Sequence, residues 1–359
     1  MKAILGEYGK IVAAAIVIFI MIGCTSFFKG DYFTNAFDQL EENNPMNWAS
    51  VTVKDIDGNV VKTEKVKKGG TCTIDYTPTT DTILVRMNGG SIDTSWDRNM
   101  TLTNIQDDQI FQEMQGWMIG TPNASDVVAV LDETGTMAIM GRGGTQNYSR
   151  TTSPWYSNRS DIKQVKVENG VTSIGWYLFY DCNSITNVSI ADSVNEIGGY
   201  AFTKCSSLST LKLPNNMSTI HTYAFQDCSS LKNVTWPEHV SSIHRAAFWG
   251  CTNLENAVIS GNIDNEVFYG CSNLKSVTFT SNVSKIPEYA FTDCKKLTNI
   301  TLPDSVTTIG RTAFYNCIEL DLTVPDGVTS IGRNAFYRVP HISYNGSATG
   351  APWGANSMN

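Results

Sequence analysis

The residues whose types invite chemistry are nine cysteines, four histidines and one aspartate-rich turn. Seven cysteines share one column: Cys182, Cys205, Cys228, Cys251, Cys271, Cys294 and Cys317. Side chains stacked at a strand spacing of about 4.8 Å lie within disulfide reach of one another, so a disulfide ladder is conceivable. Seven is odd, however, and stacked strands set poor angles for S–S bonds. Val339 also takes the same place in an eighth unit. Small buried thiols explain the column better, and Cys72, in a β run, reads the same way. Zinc would need Cys-x-x-Cys or a Cys/His cluster, and a 23-residue spacing offers neither. His221 and His244 share a column on neighbouring units with His239 near in register, but no third ligand is placed beside them. They read as solvent-facing turn residues. Asp55-Ile56-Asp57-Gly58-Asn59 has a calcium-loop flavour but lacks the full register and its closing Glu, and is predicted to be a hairpin turn. G-x-S-x-G, H-E-x-x-H and P-loop motifs are missing. No catalytic residue, metal or cofactor is therefore predicted.

The column belongs to a repeat. Phenylalanines recur at Phe179, Phe202, Phe225, Phe248, Phe268, Phe291, Phe314 and Phe336, with spacings of 23, 23, 23, 20, 23, 23 and 22 residues. An Ile lies five residues before each, from Ile174 to Ile331. Six residues after the Phe comes Leu or Ile, then an alternating apolar pair such as Leu211 and Leu213, and often a Pro. One unit cannot bury these positions alone, whereas a stack buries a continuous core. The alternating pair supplies a short strand that pairs in parallel with its equivalents, and Pro ends it for want of an N–H. The 20-residue unit has lost three residues at Ser260-Gly261-Asn262 and is predicted to bend or tighten the coil.

Val194-Asn-Glu-Ile-Gly-Gly-Tyr-Ala-Phe202, followed by Cys205, Leu208, Leu211, Leu213 and Pro214, is similar to the unit of BspA-like leucine-rich repeats. The resemblance covers about residues 125–359. Val127–Arg142 and Ser153-Pro154-Trp155 look like the opening segment of such arrays, with Tyr156 expected in the Phe slot of a capping rung. Tyr344-Asn345-Gly346 through Ala355 looks like the closing cap. The resemblance implies surface-exposed proteins, mostly bacterial, several of them adhesins for host or matrix proteins.

At the other end, Ile11–Gly23 is an uninterrupted apolar run extended by Cys24–Phe28, near the lower limit for a membrane-crossing helix. Lys2 and Lys10 precede it and Asp31, Asp38, Glu41 and Glu42 follow, which orients the rest of the chain outward. It reads as a signal anchor or as a lipoprotein signal ending in Met21-Ile22-Gly23-Cys24, with Cys24 lipidated. Residues 29–48 read as a polar stalk. From 49 to 124, period-two runs broken by Asp57-Gly58 and Gly69-Gly70 predict a small antiparallel β module. The fold class expected is thus a leucine-rich-repeat-type solenoid, mainly β, preceded by that module and an N-terminal membrane helix. Its parts are residues 1–28 (anchor or signal), 29–48, 49–124, 125–170 (N-terminal cap), 171–343 (eight repeats) and 344–359 (C-terminal cap).

A net charge of −8 without a basic stripe excludes nucleic acid as a partner. What remains is surface. The outward strand positions form two columns that make up the candidate binding face: Asn187, Thr210, Asn233, Asn256 and Asn299, and Lys212, Thr235, Val258, Thr278 and Thr301. Trp176, Tyr177, Tyr200, Tyr223 and Tyr289 line the opposite, turn side as exposed aromatics. The function expected is a membrane-tethered cell-surface protein whose solenoid binds a protein or glycan. A structural scaffold in an envelope assembly is the alternative, and an enzyme with a site in residues 49–124 ranks below both.

Overall fold

The computed structural model describes residues 45–358, apart from 79–81, 89–90, 94–100, 239 and 351. The apolar run at 11–28 with Cys24, most of the stalk, and His239 therefore lie outside the described residues. Among the described residues, no helix is long and apolar enough to cross a membrane.

The chain divides into two compact units. In the first (residues 1–52, 63–74 and 100–109), Cys72–Thr73 pairs antiparallel with Thr101–Leu102. Alternate residues Ala49 and Val51 are buried along with Val66, Ile74 and Ile105. The Ser50 N–H donates to the Asp108 carboxylate at 2.7 Å and holds that group below its ordinary value.

The second unit (53–62, 75–99 and 110–359) contains the solenoid. Its Asp55 turn is the expected hairpin: the Asn59 N–H and side-chain amide donate to the Asp55 carboxylate, and Gly58 has φ +82. Thr82–Asn88 pairs antiparallel with Gln109–Met118, which pairs onward with Val127–Leu131. The sheet thus runs unbroken across residue 124. Val127–Leu131 turns into Thr136–Gly141, and Thr136–Gly141 pairs in parallel with Gln164–Val167. At this point an antiparallel sheet becomes a parallel ladder.

Each repeat adds one rung to three ladders. The first contains the predicted alternating strands, Gln164–Val167, Asn187–Ile190, Thr210–Lys212 and Asn233–Thr235, and resumes with Asn256–Ile259, Ser276–Phe279 and Asn299–Ile300. The second is built on the Ile column, from Val171–Ile174 through Glu196–Ile197 to Asn262–Ile263, and again from Lys285–Ile286 to Ser330–Ile331. The third, unforeseen from the sequence, is the Phe turn. Phe179 N–H donates to the Ala201 carbonyl at 2.8 Å and the pattern continues to Phe336, whose N–H reaches the Trp353 carbonyl at 3.1 Å. The residues two before and two after most of the phenylalanines hold positive φ, as at Tyr177 (57), Asp181 (60), Tyr200 (59) and Lys204 (63). A left-handed conformation costs a non-glycine residue about 1–2 kcal/mol. Here it aims the N–H groups of alternate residues at the next rung, and those hydrogen bonds offset the cost.

The eight phenylalanines form a buried spine with ring centroids 5.2–5.8 Å apart. At the C-terminal end of the spine Trp353 packs edge-on against Phe336 at 6.5 Å. At the other end the Phe slot is filled by Trp155, fully buried and stacked on Phe179 at 5.4 Å, and not by Tyr156. Tyr156 is half-buried under the Arg159 guanidinium. The turn before the first repeat is one residue off the 23-residue spacing, so spacing alone picked the wrong ring.

The short unit acts on the ladders. The first ladder stops between Asn233–Thr235 and Asn256–Ile259, and the second between Asn262–Ile263 and Lys285–Ile286. At the first stop, Trp236 occupies the place held by the buried Leu213 and Ile259 and leans on Phe248 (5.2 Å) and Phe268 (6.5 Å). Phe268 belongs to the short rung, so the indole reaches over the space its missing residues leave. Val234 beside it is half-buried, whereas Val188 and Leu211 are buried. At the second stop lies Pro287, which removes one of the inter-rung donors. The residue after each Ile donates its N–H to the preceding Ile carbonyl, as His221 does to Ile197 at 2.9 Å and Gly310 to Ile286 at 2.8 Å. Pro287 has no N–H to give Ile263.

Candidate interaction surfaces

The cysteine column is core. Seven thiols are buried and unpaired, and burial pushes them upward, away from the reactive thiolate. They also do something the repeat pattern did not reveal. Cys205 Sγ–H donates to the Phe179 carbonyl of the preceding rung at 3.3 Å, and the pattern recurs from Cys228 (3.1 Å to Phe202) to Cys317 (3.1 Å to Phe291). Each such carbonyl also accepts the N–H of its own rung's cysteine, as Phe179 does from Cys182 at 3.2 Å. Both lone pairs of a buried carbonyl are thereby used.

In the same unit, Glu113 is buried and accepts the hydroxyls of Tyr76 and Thr82. The carboxylate, more than burial, raises the Tyr76 hydroxyl to about 12. That moves it away from the range useful for proton transfer near neutrality. Among the described residues no three His, Cys, Asp or Glu are grouped so as to hold a metal ion.

The strand-face columns lie where the alternation places them. Asn187, Thr210 and Asn233 stand in register, as do Asn256, Ser276 and Asn299 in the next block. Lys212 is opposite Thr235 and Val258 opposite Thr278, while Thr301 follows the end of its strand. All ten candidates are exposed except Val258, which is half-buried. The inward residues between them, Val188, Leu211, Ala257 and Val277, are buried. The ladder stop after Thr235 divides the face into two blocks, a division set by Trp236 and invisible in the columns themselves.

On the turn side the aromatics are half-buried, not exposed as expected. Tyr177 stacks on Tyr200 at 4.6 Å, and Tyr200 on Tyr223 at 4.9 Å. From Ala246 onward most of the aromatic residues shift three positions, to Trp249, Tyr269, Tyr315 and Tyr337, while Tyr289 keeps the earlier place. Every rung carries at least one large ring over its turn, and that shared space explains the shift. His221 and His244 stack as their common column predicts, at 5.2 Å.

No curated protein matches the chain. Among solved structures it is similar to a leucine-rich repeat protein of T. pallidum, with 24% identity over 56% of this chain and 90% of that one and a TM-score of 0.43. It is also similar to a leucine-rich cell surface protein of Faecalibacterium prausnitzii A2-165 (21%, 65% and 93%, TM-score 0.35) and to a leucine-rich repeat protein of Bacteroides ovatus ATCC 8483 (20%, 65% and 89%, TM-score 0.34). At such identities the likeness concerns the fold alone. The profile of the BspA type leucine-rich repeat region matches residues 152–265 and 261–347 in six copies, more than half of the chain, and the chain belongs to that family.

Proposed function

We propose that this chain is a cell-surface interaction protein in which the exposed face of the first ladder contacts a macromolecular partner, a protein or a glycan. The observation that carries the reading is the pair of in-register columns: polar and outward at Asn187, Thr210, Lys212, Asn233 and Thr235, over buried Val188 and Leu211. A sheet that repeats a polar face at each rung offers an extended contact surface with no chemistry in it. The N-terminal apolar run would tether the chain to a membrane, as an anchor or through lipidated Cys24, with the repeats of residues 171–343 displayed outward.

The full chain, immobilised and presented with extracellular-matrix proteins and surface glycans, is expected to bind at least one saturably. Lys212→Glu with Thr235→Glu should weaken that binding about tenfold or more, as hot-spot contacts do. Unchanged binding in the double variant, or none by the unaltered chain, sinks the proposal. A scaffold role predicts instead that the same double variant, in the full chain, loses assembly and not ligand binding.

A further inference from the structure

Trp176 differs from the stacked tyrosines over the turns. Tyr177, Tyr200 and Tyr223 lie face on face at 4.6 and 4.9 Å, as do Tyr315 and Tyr337 at 4.8 Å, so each ring covers part of its neighbour's π surface. Trp176 lies across the next rung instead. A Cβ on Gly199 would sit 2.7–2.9 Å from three atoms of its six-membered ring, so the indole rests on bare glycine backbone. Other rungs put Thr222, Arg245, Asn265 or Glu288 in the place of Gly199, and any of these would displace the ring. Tyr200 (6.4 Å, 50°) and His221 (5.9 Å, 44°) are tilted against the indole and not stacked on it. The ring is thus seated on the next rung while the side chain as a whole stays half-buried and keeps part of its surface in solvent. Its backbone is fixed at both groups: Trp176 N–H donates to Asn147 Oδ1 at 2.9 Å, and its carbonyl accepts the Tyr148 N–H at 2.9 Å.

We propose that Trp176, with Glu196 and His221 at its side, is a saccharide-binding subsite that takes one pyranose ring of a glycan. A pyranose has an apolar C–H face whose weakly positive hydrogens meet the negative face of an indole, and a rim of hydroxyls that needs both donors and acceptors. The rim partners are present. His221 Nε2 pairs with Glu196, and His221 stacks on His244, whose Nδ1 pairs with Asp264 at 2.9 Å. These side chains keep 24% (His221), 46% (Glu196), 37% (His244) and 53% (Asp264) of their surface, so they remain within reach of a ligand. Each carboxylate carries an imidazole, which makes the corner a poor cage for a cation and a good match for a neutral sugar. The subsite follows the second ladder and shares no residue with the columns of the proposed face, so Trp176 variants and the Lys212/Thr235 variant test the two proposals separately.

The test is titration of the full chain with cellohexaose, chitohexaose, mannohexaose and xylohexaose, read by calorimetry and by saturation-transfer NMR of the sugar C–H protons. At least one is expected to saturate at millimolar concentration or below. Trp176→Ala should weaken it about tenfold or more, with Trp176→Phe intermediate, and Tyr315→Ala, in the stacked Tyr315–Tyr337 pair, should leave it within about twofold. Gly199→Val, which lifts the ring without removing it, should weaken binding while melting curves confirm folding. The proposal is overturned if no sugar saturates, if Trp176→Ala binds unchanged, or if only a lysine-rich peptide binds in a Trp176-dependent way.

Discussion

The Phe turn keeps its hydrogen bonds through all eight rungs, whereas both strand ladders are interrupted. The two halves of each unit differ in one respect that the sequence displays. From Ile to the cysteine column the distance is eight residues in every unit, Ile174 to Cys182 and Ile331 to Val339 alike. From that column to the next Ile it is 15 residues in most units but 12 after Cys251 and 14 after Cys317. All length variation falls in the half that contains the first ladder. A turn whose backbone is held by three inter-rung donors and by Phe and Cys side chains tolerates no insertion or deletion. A strand can lose pairing and still be carried by the turn. The third stop, between Asn299–Ile300 and Asp321–Thr323, fits this account, because it lies in the 14-residue segment before Ile331.

The largest expected effect tests that ranking directly. Phe248→Ala should cost about 3–5 kcal/mol in urea unfolding, the usual range for a fully buried aromatic. Val234→Ala, at the ladder stop and only half-buried, should cost about 1 kcal/mol or less. Equal losses would mean that the strands matter as much as the turn.

The cysteine column sharpens the comparison. Cys228→Ala removes a buried thiol and the second donor to the Phe202 carbonyl and should cost about 1–2 kcal/mol. Thr235→Ala, exposed on the strand face, should stay within about 0.5 kcal/mol. Alkylation mapped by mass spectrometry should leave Cys182 through Cys317 unmodified in the native protein and modify them all once it is unfolded. Native labelling of any of these seven would show a thiol less buried than the rung geometry requires.

Much of this was legible in the residues. The Phe, Ile and Cys columns, the strand positions and the short unit can be read because identical side chains must meet at every rung, so the pattern repeats in one dimension. Three things could not be read. The Phe-turn ladder depends on positive φ at residues as unlike as Tyr177, Lys204 and Glu266, which share no side-chain signature. Trp155 in place of Tyr156 follows from a turn whose length departs from the repeat. Gly199 as the seat of Trp176 needs two adjacent rungs in register, a relation between units that no single unit displays. One further signal stands in the sequence: a Pro in the column after Ile, at position 287, where other units place Gly, His or Asp.

Pro287 offers a way to repair a broken ladder. With Ala there, the amide at position 287 gains an N–H facing the Ile263 carbonyl. Hydrogen exchange should find it protected to the degree seen at Gly310, with a stability gain of about 0.5–1 kcal/mol offset in part by lost proline rigidity. Fast exchange at that amide would show that the short rung, and not Pro287, opens the second ladder.

The smallest effect concerns how the variable half is held where strands do not hold it. In the loop after the first-ladder strands, Asp192 accepts the Asn215 N–H at 2.8 Å and its side-chain amide at 3.0 Å on the next rung. The backbone hydrogen bond, followed by that amide and Lys212, holds the Asp192 carboxyl below its usual 3.8 despite some desolvation. A carboxyl with a depressed folded pKa binds protons more weakly folded than unfolded, so its contribution is complete above 3.8 and fades as pH falls through the lower folded value. Asp192→Asn should therefore lower the melting temperature slightly at neutral pH, and the difference should shrink as pH falls below 3.8 and the carboxyl becomes protonated. The group is exposed and screened, so the difference should also shrink in molar salt. A deficit that persists unchanged at low pH would assign the effect to loop shape and not to the carboxylate, and would place the staple of the variable half in its backbone, as in the turn.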